Sequence, residues 1–118
     1  MKLHQYPAAI ATLEQQELDI GEKLTRARET LALIRAEVES AIAFDPELKN
    51  EGQRKARKAR ALDLLADTEY SRAALRVRQM ERQLAEHQIA LNQTRSEFAI
   101  AKLTLRERIA RMEVGAAA

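Results

Sequence analysis

The side chains best equipped for chemistry in this sequence are two histidines, His4 and His87, and a scatter of carboxylates. A di-iron carboxylate bundle needs Glu-x-x-His pairs projecting inward, but the residue three before His87 is Leu84. The His-Glu-x-x-His spacing of zinc proteases is absent too. With no cysteine there is no thiol nucleophile and no soft metal ligand. Gly21, Gly52 and Gly115 are isolated, so no glycine-rich loop cradles a phosphate. Glu14, Glu17, Glu22, Glu29, Glu37, Glu39, Glu81, Glu86 and Glu97 interleave with arginines, which is the pattern of solvated helix flanks. Glu22 with Arg26 and Arg82 with Glu86 have i,i+4 spacing, worth a few tenths of a kcal/mol each. No catalytic residue, metal ligand or cofactor site is assigned, and a non-enzymatic protein is expected. An enzyme would need a site completed between subunits, and metal analysis of the purified protein would reveal a metal-dependent one.

One constellation stands above this background. Residues 46–60 carry six basic and two acidic side chains, whereas 1–45 carry five and eight and 61–118 carry nine and eight. Net charge is only +2, so positive charge is concentrated in Arg54, Lys55, Arg57, Lys58 and Arg60. On a helical wheel Arg54, Arg57, Lys58 and Arg60 oppose Ala56, Ala59, Leu62 and Ala66, with Lys55 beside the apolar stripe. Such a face can neutralise phosphates of a nucleic acid without reading sequence. It can equally be a solvated turn or dock an acidic protein. The nearest ring is Tyr70, so no stacking platform for single strands is present, and the alanine-rich side lacks the Trp or Phe that anchors a membrane helix.

The elements that hold these residues follow from apolar spacing. Of the 118 residues 46% are hydrophobic, but 22 are alanine, and aromatics make up 3%. That balance, with three glycines and two prolines, argues for an all-α chain. Ile10, Leu13, Glu17, Ile20, Leu24, Ala27, Leu31, Ile34, Val38 and Ala41 recur in steps of three and four, a heptad seam on a helix predicted over residues 7–44. A second ladder runs Tyr70, Ala73, Val77, Met80, Leu84, His87, Leu91, Thr94, Phe98, Ala101, Leu105, Arg108 and Met112, on a helix predicted over 68–114. His87 and Thr94 are polar seam residues of the kind that fix helix register. Asp45-Pro46 ends the first helix and offers a cap with proline at the first helical position. Asn50 with Gln53 has the form of a capping box for a short basic helix within a 45–67 connection. Asp67 or Thr68 would cap the last helix, and Gly115 would end it before a tail at 115–118.

The expected architecture is one domain, a long antiparallel, coiled-coil-like helical hairpin with a short basic helix in its connection. The last helix carries a further apolar stripe, Leu75, Ala85, Ile89, Ala99, Ile100 and Leu103, and the first adds Leu18, Ala32, Leu33 and Ala36. A helix apolar on two faces needs two neighbours. The predicted solution is a homodimer or higher homo-oligomer, most simply a dimeric four-helix bundle, whose seam includes Leu24, Leu31, Ile34, Val77, Leu84, His87, Leu91, Phe98 and Leu105. Folding the middle helix back as a third member is the monomeric alternative. No apolar run reaches a membrane span and no secretory signal is apparent, so a soluble, cytoplasmic protein with no membrane partner is expected.

The stretch Leu48-Lys49-Asn50-Glu51-Gly52-Gln53-Arg54-Lys55-Ala56, with Leu64-Leu65-Ala66-Asp67-Thr68-Glu69-Tyr70, resembles a segment of small uncharacterised helical proteins of phages and cyanobacteria. It covers about a fifth of the chain, and Gly52 within the motif departs from it. The resemblance implies two long helices around an Asn-x-x-Gln-Arg-Lys turn and no catalytic residues. Because some of those proteins accompany single-strand-binding and recombination genes, it also implies a DNA-processing accessory. Function is thus expected in a protein-interaction or structural module. The alternative is a nucleic-acid accessory gripping phosphates through Arg54, Lys55, Arg57, Lys58 and Arg60.

Overall fold

The computed structural model describes residues 1–64 and 69–117, with side chains described for 1–61 and 69–116. A 3-10 turn, Leu3–Gln5, leads into α1, Tyr6–Ala43; α2 spans Glu51–Leu64 and α3 spans Glu69–Ala117. No strand occurs among the described residues. At 1.5 Å per residue, the 38 residues of α1 and 49 of α3 correspond to roughly 57 and 74 Å of helix measured along the chain.

The helix ends show which sequence signals act. At the start, the Lys2 amide donates to Gln5 Oε1 at 2.8 Å and the Gln5 amide to the Lys2 carbonyl at 2.9 Å. Pro7 tolerates the first turn of α1 because amides there have no helical acceptor. α1 stops before Asp45-Pro46, since the residue preceding proline is driven from helical geometry. The Asp45 carboxylate accepts the Glu47 amide at 2.9 Å, yet residues 46 and 47 form only a turn. Pro46 is therefore not the first residue of a helix as expected. The stronger cap lies at Asn50, whose Oδ1 accepts the Gln53 amide at 2.8 Å. Gln53 Oε1 in turn accepts the Lys49 amide at 2.8 Å, one residue ahead of the cap. α3 runs through Gly115 to Ala117, and no glycine has a positive φ. A Gly115 helix end needs the left-handed conformation; here the neighbouring alanines, the best helix formers, carry the helix on. The expected caps Asp67 and Thr68 lie outside the described residues.

Two compact units are distinguished: Met1–Asp19 with Leu84–Ala118, and Ile20–Gln83. In the first, α1 and α3 segments pair antiparallel: Tyr6 stacks on Phe98 with centroids 5.3 Å apart, and His87 meets the Leu13 carbonyl. Tyr6 and Leu91 are buried there, Leu91 at 2% exposure. In the second unit the pairing is again antiparallel, with Arg28 3.5 Å from Glu81 and Arg35 donating to the Tyr70 hydroxyl at 3.1 Å. Its core is Ile20, Leu24, Ala27, Ile42, Ala73 and Val77. No described helix is long and apolar enough to cross a membrane.

The seam ladders and the burial pattern agree over most of their length. From Ile10 to Val38 on α1 and from Tyr70 to Ala101 on α3, every ladder position is buried or half-buried. The exceptions lie at the ends. On α1, Ala41 is exposed and Ile42 takes its place, a step of four from Val38 that buries the larger side chain. On α3, Leu105, Arg108 and Met112 are exposed.

Candidate functional site

His87 is the best placed polar group of the first unit. Its Nε2 lies 2.7 Å from the Leu13 carbonyl oxygen, so a proton on Nε2 is donated across the helix pair. Because a backbone acceptor has a fixed position along its helix, this bond ties α3 to α1 at one axial register, whereas apolar neighbours could slide. Thr94, also half-buried on the ladder, returns its hydroxyl to the Ala90 carbonyl of its own helix at 3.0 Å. His4 is exposed. Among the described residues no group of three His, Asp or Glu side chains is placed to hold a metal ion.

The basic segment sits in the second unit on α2. Arg54, Lys55, Arg57 and Arg60 are exposed, and Lys58 is half-buried in an ion pair with Glu39 of α1. Glu39, Ile42, Ala43, Glu51, Arg54, Lys55 and Lys58 line an open cleft of about 360 Å³. The edge of α2 carrying Lys55 and Lys58 thus faces the end of α1, while Ala56 and Ala59, expected as the inner stripe, are exposed. Lysine stems cover more apolar surface than an alanine methyl while keeping their charge at the rim, and Glu39 holds one of the two ammonium groups. Leu62 and Ala66 of the expected stripe lie outside the described side chains. Of the five basic residues, Arg57 and Arg60 do not line the cleft, and Lys58 is already engaged with an acid.

A further feature is the set of apolar side chains without cover. Of the expected seam, Leu24, Val77 and Leu91 are buried, and Leu31, Ile34, Leu84, His87 and Phe98 are half-buried, all inside the intrachain pair. Leu105 is 39% exposed. The second stripe, Leu75, Ile89, Ile100 and Leu103, is exposed throughout, as are Leu18 and Leu33 on α1. From Lys102 to Ala116 every side chain of α3 is exposed, including Ile109 at 45%, Met112 at 67% and Val114.

Two contributors were missed by the ladders although their spacing encodes them. Tyr6 lies four residues before Ile10 and continues its ladder, and its ring closes the first unit against Phe98. Ile109 lies four residues after Leu105 and extends the α3 ladder better than Arg108. Compared with family models, with curated proteins and with solved structures, the chain has no match in any of the three.

Proposed function

We propose that this chain is a non-enzymatic helical module that self-associates through apolar side chains of α3 and presents the outer faces of its helices to a protein partner. The observation that carries this reading is the apolar surface that α3 leaves uncovered: Leu75, Ile89, Ile100 and Leu103 on the side away from its ladder, and Leu105, Ile109 and Met112 along the ladder's continuation. So much exposed apolar surface on one helix is uncommon on chains that act alone, since fully covering one such exposed side chain is worth up to roughly 1.5 to 3 kcal/mol. A dimeric four-helix bundle is one arrangement that covers them. Light scattering from the intact chain over a micromolar dilution series tests the reading: a mass at least twice the 13.4 kDa of the chain supports it, and 13.4 kDa at every concentration refutes it.

Exposure of Arg54, Lys55, Arg57 and Arg60 on one short helix favours a second reading, contact with nucleic-acid phosphates. Affinity for a DNA duplex or single strand would then fall with salt, by about 0.9 in log K per log salt for each duplex phosphate neutralised. Since the Lys58 ammonium already meets Glu39, Lys58→Gln is expected to change that slope less than Arg57→Gln. Absence of binding at low salt removes this reading.

A further inference from the structure

The ladder that α1 covers on α3 continues, along the same side of the helix but uncovered, past the last half-buried position, Ala101. Its continuation is Leu105, Ile109, Met112 and Ala116, spaced four, three and four, all exposed. Two successive steps of four at Ala101, Leu105 and Ile109 form a stutter that moves Arg108 from the seam to its flank. This stripe, unlike the one through Leu75 and Ile89, is not broken by residues such as Arg78, Arg82 and Asn92. We propose that residues 102–116 of α3 are the self-association element, pairing antiparallel with the same segment of a second copy.

Three features of the segment select a second copy as occupant. A helix running against α3 is the cover that α1 already gives the same ladder at Phe98, and another copy of the segment supplies such a helix with a matching apolar stripe. Next, with Leu105 and Met112 at one core position of the heptad and Ile109 and Ala116 at the other, antiparallel layers place Ile109 against Met112 of the second copy, and Leu105 against Ala116. Each large side chain at the ends thus meets a small one. Finally, in that register Arg106 and Glu113 occupy equivalent flanking positions seven residues apart, so Arg106 of each copy lies beside Glu113 of the other. The two-fold symmetry creates two such pairs. Arg108 falls on the opposite flank, next to Gly115 of the second copy, where no side chain obstructs its stem.

This inference rests on the self-association reading and locates the joint within it. The test uses the intact chain with Arg106→Glu, with Glu113→Arg, and with both changes, in sedimentation velocity at low salt. Both positions are exposed, so helicity by circular dichroism is expected to stay unchanged. Each single reversal turns both pairs repulsive and is expected to weaken dimerisation tenfold or more; the double reversal restores it. Mixing the two single variants is expected to form a heterodimer, since one flank then pairs the introduced glutamate with the introduced arginine and the other keeps the original Arg106 beside Glu113. A dimeric parent chain whose affinity none of these changes alters overturns the proposed joint and leaves self-association standing. A parent chain that stays monomeric at 100 μM, a concentration about a hundredfold above a micromolar Kd, overturns both.

Discussion

Single side chains divide here into those that hold the helix pair and those that align it. Leu91, almost fully buried, is of the first kind, and Leu91→Ala is expected to cost about 2 to 5 kcal/mol in denaturant unfolding. His87 is of the second kind. The Leu13 carbonyl that it meets lies within α1, where the helical ladder also supplies a donor, so removing the imidazole leaves no stranded acceptor. His87→Leu is accordingly expected to change stability by less than about 1 kcal/mol while loosening register, whereas His87→Asp, which puts a charge against a carbonyl in a half-buried seam, is expected to cost several times more. A loss of several kcal/mol on His87→Leu would show that the hydrogen bond holds the pair together rather than aligning it. Glycines give a sharper contrast. A methyl added at Gly21 meets nothing within 4 Å, but one at Gly52 lies 3.3 Å from Asn50 Oδ1, the capping atom of α2. Gly21→Ala is expected to stabilise by about 0.5 to 1 kcal/mol, and Gly52→Ala by less. Equal gains in thermal unfolding would contradict this.

At the scale of elements, spacing made α1 and α3 legible because long ladders average over their exceptions: Glu17, His87 and Thr94 interrupt the pattern without shifting its phase. Boundaries were less legible where two signals competed. Asp45-Pro46 and Asn50-Gln53 both resemble helix starts, and the second prevails because Gln53 closes it twice, its amide donating to Asn50 Oδ1 and its side-chain Oε1 accepting the Lys49 amide. Asn50→Ala is expected to remove about 1 kcal/mol from α2, read as faster amide exchange over residues 51–58 with α1 unaffected. The orientation of α2 was not legible, because a wheel ranks faces by hydropathy and cannot see Glu39 waiting on another helix for Lys58. At Gly115 the residue type suggested an ending that required a left-handed conformation the backbone does not adopt.

For the whole molecule, the sequence announced more apolar surface than one antiparallel pair can cover, and the structure locates the surplus. It lies on the side of α3 opposite its ladder and along the ladder's continuation from Leu105 to Ala116. The proposed self-association through that continuation would make the ordering of 102–116 dependent on a second copy, because an exposed helix of some 15 residues is marginal in water without packing. Amide hydrogen exchange of α3 as a function of chain concentration measures this most directly. Protection of residues 102–116 is expected to rise with concentration in step with dimerisation, while residues 84–98, packed within the chain, stay constant. Exchange in 102–116 that is the same at nanomolar and at high micromolar concentration would contradict the account.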